Sequence, residues 1–115
     1  MSDDQTIREI TIDEAGPLLA SGAVLLDVRE DDEWAAGHAD EAVHIPMGEV
    51  ADRLDELPAD RTVVCICRMG GRSMSVANLL AGAGYDAVNL GGGMHGWAGS
   101  GRPVVTGDGA AGRVV

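Results

Sequence analysis

Residues 62–73 read TVVCICRMGGRS. The first five are β-branched or apolar without alternation, the composition of a strand buried on both faces and the most β-rich run in the chain. Two adjacent glycines then break the run. From Ser73 the pattern turns helical, with Val76, Leu79, Leu80 and Ala83 on one face and Gly84 placed as a C-terminal cap. A buried strand that passes through a glycine turn straight into a helix is the repeating unit of a parallel α/β sheet. The stretch therefore predicts the central strand of such a sheet.

The flanking sequence extends this pattern in both directions. Residues 87–90 form a last short strand, and GGGMHGW at 91–97 begins a final helix or turn. Upstream, 7–10 can form an edge strand, followed by a capping box between Thr11 and Glu14 that opens a helix running to about Ser21. Leu18 and Leu19 face inward on that helix. Pro17 falls late in it, which places its start at Asp13 or later, and Gly22 ends it. VLLDV at 24–28 is a buried strand, EDDEWAAGH at 30–38 a short acidic helix, and 42–45 a brief strand stopped by Pro46. Val50, Leu54 and Leu57 recur at helical spacing, which predicts an amphipathic helix over 48–57 ended by Pro58. The expected architecture is one α/β domain, a mostly parallel five-stranded sheet with helices on both faces, over residues 1–105. After Pro103 the sequence GDGAAGRVV lacks periodicity, and 106–115 is expected to be a flexible tail.

Composition narrows the function. With 115 residues and 45% hydrophobic content, the chain supports one real core and excludes wholesale disorder. The net charge is −11 and all eight basic residues are arginine. That excess of acid argues against nucleic-acid or anionic-membrane partners, and solubility accounts for it. No apolar run approaches the roughly 20 residues needed to span a bilayer. The polar start, MSDDQTIRE, has no apolar segment of a signal peptide, so a cytoplasmic address is the expectation. Cys65 and Cys67 are the only cysteines, one residue apart, too few and too close for a disulfide framework or a four-cysteine zinc site. Zinc held by both with His38, His44 or His95 fits no ligand spacing, so no metal and no cofactor are expected.

Cys67 falls at the carboxyl end of the central strand, just before the loop, where parallel α/β sheets place their ligand sites. Consecutive N–H groups of a glycine-rich turn form a concave anion site, and the following helix adds the positive end of its dipole. Gly70 and Gly71 allow the backbone to curl, and Arg68 and Arg72 add positive charge at the rim. Each of these favours a thiolate, so Cys67 is expected to be an exposed nucleophile with a depressed pKa. Cys65, inside the apolar strand, reads as a small buried hydrophobe.

CRMGGRS resembles the active-site loop of rhodanese-like sulfurtransferases, in which a cysteine opens a loop feeding a helix. LLDVREDDEWAAGHADEAVHIP is similar to a second signature of that family, an Asp-x-Arg followed by a glutamate, an aromatic residue, Gly-His and Ile-Pro. VNLGGGMHGW resembles its closing segment. Together the three cover residues 7–104 in the family's order. The resemblance implies a rhodanese-type domain in which Cys67 cycles between thiolate and persulfide. Sulfane sulfur would pass from thiosulfate or a similar donor to cyanide, a thiol or a protein acceptor. Arg68, Met69, Gly70, Gly71, Arg72 and Ser73 would form the cradle for the anion and the substrate. Arg68 would draw the donor, and Arg72 would fix the shape of the loop. Asp27 and Arg29 match the Asp-x-Arg and imply a structural pair, with Glu33 and Trp34 beside it. His38 implies a hydrogen-bonded structural residue, and His44 and His95 surface or packing residues. Asp40 and Glu41 depart from the small or Pro-Gly turn usual there.

Two other classes compete with this reading. Cysteine phosphatases and arsenate reductases also cradle an anion between strand and helix, but they place five residues between cysteine and arginine. Here four residues separate Cys67 from Arg72, a smaller ring suited to sulfur. A non-catalytic interaction or redox-sensing module is the alternative from another class, and the retained cysteine argues against it.

Overall fold

The computed structural model describes residues 6–115; the reading of the polar start as lacking a signal peptide falls partly on residues 1–5, outside the described residues. Among the described residues, five strands form one sheet: β1 (Glu9–Ile10), β2 (Val24–Asp27), β3 (Val43–His44), β4 (Val63–Ile66) and β5 (Ala87–Leu90). Their order is β1-β5-β4-β2-β3 and every pairing is parallel. β4 is thus the middle strand, as its β-branched, fully apolar composition requires. Four α-helices accompany the sheet: α1 (Ile12–Ala20), α2 (Asp31–Ala36), α3 (Gly71–Gly82) and α4 (Gly93–Gly99). None of the helices described is long and apolar enough to cross a membrane.

Strand alternation divides the core into two layers. Leu26, Val63, Cys65 and Ala87 point to one face, where Val76, Ala77 and Leu80 of α3 cover them together with Val50 and Leu57. Leu25, Val64, Ile66, Val88 and Leu90 point to the other, against Ala15 of α1 and Met94 and Trp97 of α4. Helices therefore pack on both faces, as the sequence predicts.

The structure departs from that prediction locally. The helix expected over 48–57 is instead two 3₁₀ segments, Met47–Asp52 and Leu54–Glu56. Its N–H groups bond three residues back, Arg53 to Val50 and Leu57 to Leu54, and at Arg53 the backbone leaves helical angles. Between Pro46 and Pro58, tertiary packing of Val50 and Leu57 holds the tighter turns. α1 starts at Ile12, earlier than Pro17 suggests, because the complete capping box at Thr11 outweighs the one bond the proline forfeits. α3 starts at Gly71 and turns Ser73, Val76, Ala77 and Leu80 inward, leaving Leu79 exposed; the small residues let the helix lie close to the sheet.

Residues 106–115, expected as a flexible tail, run back along the domain. His38 and Val105 exchange backbone hydrogen bonds of 2.9 and 2.8 Å, Thr106 N–H donates to Ala110, and Arg113 N–H donates to Ala36 at 2.9 Å. These are main-chain contacts, made without the side-chain periodicity on which the expectation of a tail rested.

Candidate active site

Cys67 is the first residue beyond β4, and it continues the alternation of Val63 and Cys65. Its side chain therefore projects to the α3 face, beneath the start of that helix. Gly70 turns the chain there with φ of +112°, a conformation that β-carbons disfavour. The turn brings three donors onto the sulfur: Gly70 N–H at 3.1 Å, Ser73 N–H at 3.4 Å and Ser73 Oγ at 3.3 Å. The thiol is only 1% exposed, a correction to the expected exposed nucleophile: the loop wraps the sulfur rather than presenting it.

Burial works to raise the Cys67 pKa. The Ser73 hydroxyl and the N–H groups of Ser73, Gly70 and Met69 outweigh it and leave the pKa below the ordinary thiol value. Among the described residues no such donor meets Cys65, and burial, aided by the neighbouring Cys67, pushes its thiol up to about 12. The two cysteines thus sit on one face of one chain segment with opposite chemistry.

The loop is held from below by α4. Met94 N–H donates to Cys67 O at 2.7 Å and His95 N–H to Arg68 O at 3.0 Å. Gly93 allows this approach, since a β-carbon there would run into the Cys67 and Arg68 carbonyls. From the side, the loop is tied to α2: Arg72 grips both oxygens of Glu33 at 2.7 and 2.9 Å. That pairing holds the Glu33 carboxyl down to about 2 against the opposing effect of burial. Arg72 is therefore neutralised by a partner 39 residues away and is not the open rim charge expected of it. Arg68 is exposed and its Nε donates to Val115 O at 2.9 Å. Met69 is 56% exposed at the mouth, and Gly71 is the first residue of α3.

Asp27 and Arg29 lie beside the site at the end of β2, both fully buried. Arg29 Nε and Nη2 bond the carboxylate at 3.0 and 2.8 Å; Nη2 also donates to Gly37 O and Nη1 to Glu33 O. The pair thus fixes the backbone of α2, and α2 in turn carries Glu33 to Arg72. Trp34 stacks on His38 at 3.6 Å and on His44 at 4.6 Å between ring centroids. His38 Nδ1 lies 2.9 Å from Trp34 O, His44 Nε2 lies 2.7 Å from Arg29 O, and His95 is exposed. Asp40 and Glu41 form an exposed turn away from the sulfur. Sequence reading missed Asn89, which is fully buried and bonds Ser73 Oγ at 2.6 Å. A lone asparagine inside the apolar run AVNL was the available signal, because a buried amide demands partners.

A shallow ring of N–H and O–H donors around one sulfur can stabilise a thiolate, or negative charge carried one atom farther out. The chain is similar to known proteins. The Bacillus subtilis protein YtwF is 46% identical over 79 residues, covering 69% of this chain and 77% of the relative. A thiosulfate sulfurtransferase, GlpE of Actinobacillus pleuropneumoniae, is 34% identical over 104 residues, covering 89% of this chain and 96% of its own. The crystal structure of a rhodanese-related protein from Thermoplasma volcanium superposes with a TM-score of 0.79 at 30% identity, over 85% of this chain and 97% of that one. The rhodanese-like domain model matches residues 11–100. That span contains β2 to β5, the cysteine loop and the Asp27–Arg29 pair, and by it the chain belongs to the rhodanese-like domain family.

Proposed function

We propose that the protein is a sulfurtransferase that carries sulfane sulfur as a persulfide on Cys67. The observation that carries this reading is the convergence of Gly70 N–H, Ser73 N–H and Ser73 Oγ on one buried sulfur at the start of α3. The Cys67 thiolate attacks the outer sulfur of thiosulfate; the S–S bond of the donor breaks and sulfite leaves with its electron pair. The persulfide then holds its negative charge on the terminal sulfur, within reach of the loop's positive end. In the second step an acceptor nucleophile (cyanide, a thiol or a protein thiol) takes that terminal sulfur and restores the thiolate. Division into two displacements is the usual gain from a covalent nucleophile.

Thiosulfate as donor is supported by the likeness to GlpE, and by Arg68 at the edge of the loop as a cation for a dianion. A cytoplasmic setting belongs to the same reading, since two unpaired thiols suit a reducing compartment. The test is intact mass after thiosulfate treatment. We expect a gain of one sulfur atom that persists in Cys65→Ala and is lost in Cys67→Ser. A gain that follows Cys65 instead would reverse the two roles.

A further inference from the structure

We propose that Asn89 is a positioning residue for the Cys67 sulfur: it holds the Ser73 hydroxyl proton while the sulfur is neutral and yields it when the sulfur becomes an anion. Register places the parts. Glu9, Asn89 and Cys65 are paired across β1, β5 and β4, so their side chains share the face covered by α3. Asn89 is fully buried there, and its amide has a defined orientation. Its Nδ2 donates to Glu9 Oε2 at 3.1 Å and to Gly70 O at 3.0 Å. A carboxylate and a carbonyl can only accept, so both amide protons are committed and Oδ1 must face Ser73.

Ser73 has one hydroxyl proton and three acceptors within reach, of which Gly70 O at 3.4 Å is the most distant. Asn89 Oδ1 is 2.6 Å from Oγ, whereas Cys67 Sγ is 3.3 Å away. With a neutral thiol the short bond to Asn89 prevails, and the hydroxyl turns a lone pair to the sulfur. A sulfur anion attracts the proton more strongly, because a donor to a charged acceptor forms a bond roughly twice as strong as a neutral one. Turning the hydroxyl to the sulfur then leaves a buried amide oxygen without its donor, which opposes the change. Asn89 therefore sets how readily the third donor of the cradle reaches the sulfur, from a strand that never touches it. The remaining titratable groups facing the sulfur are Arg72 of α3, paired with Glu33 of α2, and Cys65 of β4. The variants below alter none of these.

Resting on the assignment of Cys67 as the reacting sulfur, the inference is tested without sulfur transfer. The rate of Cys67 alkylation by iodoacetamide, located by peptide mass, is followed against pH. Ser73→Ala should raise the midpoint by about one pH unit, the value of one charge-assisted donor. Asn89→Leu should lower it by roughly half a unit, because only the longer contact to Gly70 O, at 3.4 Å, then competes with the sulfur for the Ser73 proton. In the double variant the Asn89 effect should vanish and the midpoint should equal that of Ser73→Ala. A midpoint raised by Asn89→Leu, or the same shift with and without Ser73, overturns the proposal.

Because Asn89→Leu also removes a donor from Glu9 and from Gly70 O, a second measurement uses the unmodified protein. The Asn89 side-chain carbonyl ¹³C signal should titrate with the Cys67 midpoint as the Ser73 bond is released, and an unchanged signal overturns the proposal equally. Failure of thiosulfate to load Cys67 would sink the proposed activity and leave both titrations intact, so the two failures are distinguishable.

Discussion

Replacing Asp27 by alanine strips a fully buried guanidinium of the carboxylate it is paired with. Arg29 has no exposure, and its carboxylate bonds run through Nε at 3.0 Å and Nη2 at 2.8 Å. The remaining bonds, to Gly37 O and Glu33 O, solvate the charge but do not balance it. Removing one partner of such a pair typically costs about 3–5 kcal/mol. At ~4 °C per kcal/mol for a domain of this size, Tm should fall by roughly 12–20 °C. Differential scanning calorimetry and urea titration measure the loss, with Cys67→Ser as a reference that should stay within about 1 kcal/mol of the parent. Replacing both residues, Asp27→Leu with Arg29→Met, should recover only part of the loss. The charge is gone, but the buried Gly37 O loses its guanidinium donor at about 1–3 kcal/mol, and the part-buried Glu33 O loses a weaker contact. An Asp27→Ala protein within about 1 kcal/mol of the parent would refute the bracing role. So would a double variant less stable than the single one.

Arg68→Ala should raise KM for thiosulfate with a smaller change in kcat, and should leave a neutral polysulfide donor nearly unaffected; an equal loss in kcat/KM for both donors would assign Arg68 to the cradle itself. Glu33→Gln should reveal a pH-dependent brace. The Arg72 partner holds Glu33 at about 2, below the ordinary 4.5, so its contribution is full above 4.5 and disappears as pH falls through about 2. Urea unfolding of parent and variant should therefore differ at neutral pH and converge in acid, whereas a constant difference would remove the ion pair as the cause. Finally, one residue inserted between Gly71 and Arg72 should create measurable phosphate affinity where the parent has none, as read by calorimetric titration; aryl-phosphate turnover by the parent at rates near sulfur transfer would defeat the ring-size argument.

What sequence revealed and what it hid have a common physical cause. The strand at 62–66, the glycine turn and the helix after it were legible because burial on both faces and positive φ restrict residue choice locally. The capping box at Thr11 was legible for the same reason. Partners brought together by the fold were not. Glu33 and Arg72 are 39 residues apart, and nothing in either neighbourhood marks them as a pair. Asn89 reads as one polar residue in an apolar strand until β1 and α3 are placed around it. The spacing of Val50, Leu54 and Leu57 correctly marked inward positions, yet it does not separate a 3₁₀ run from an α-helix over so few residues. The return of residues 106–115 rests on main-chain bonds and on the close approach of Gly37 to Gly112 and Arg113, contacts between distant residues that no local pattern advertises.

The contrast between the two cysteines also bears on oxidative damage. Enzymes that survive peroxide often keep a second thiol beside the reactive one, ready to condense with a sulfenic acid before it is oxidised further. Cys65 is close in sequence and lies on the correct face, but its thiol is pushed up to about 12. Burial keeps it protonated at neutral pH, and the thiol is a far weaker attacker than its anion. A sulfenate formed on Cys67 thus has no internal rescuer, and its repair depends on thiols supplied by the solution. The same burial that makes Cys65 a good core residue leaves Cys67 dependent on its surroundings for recovery.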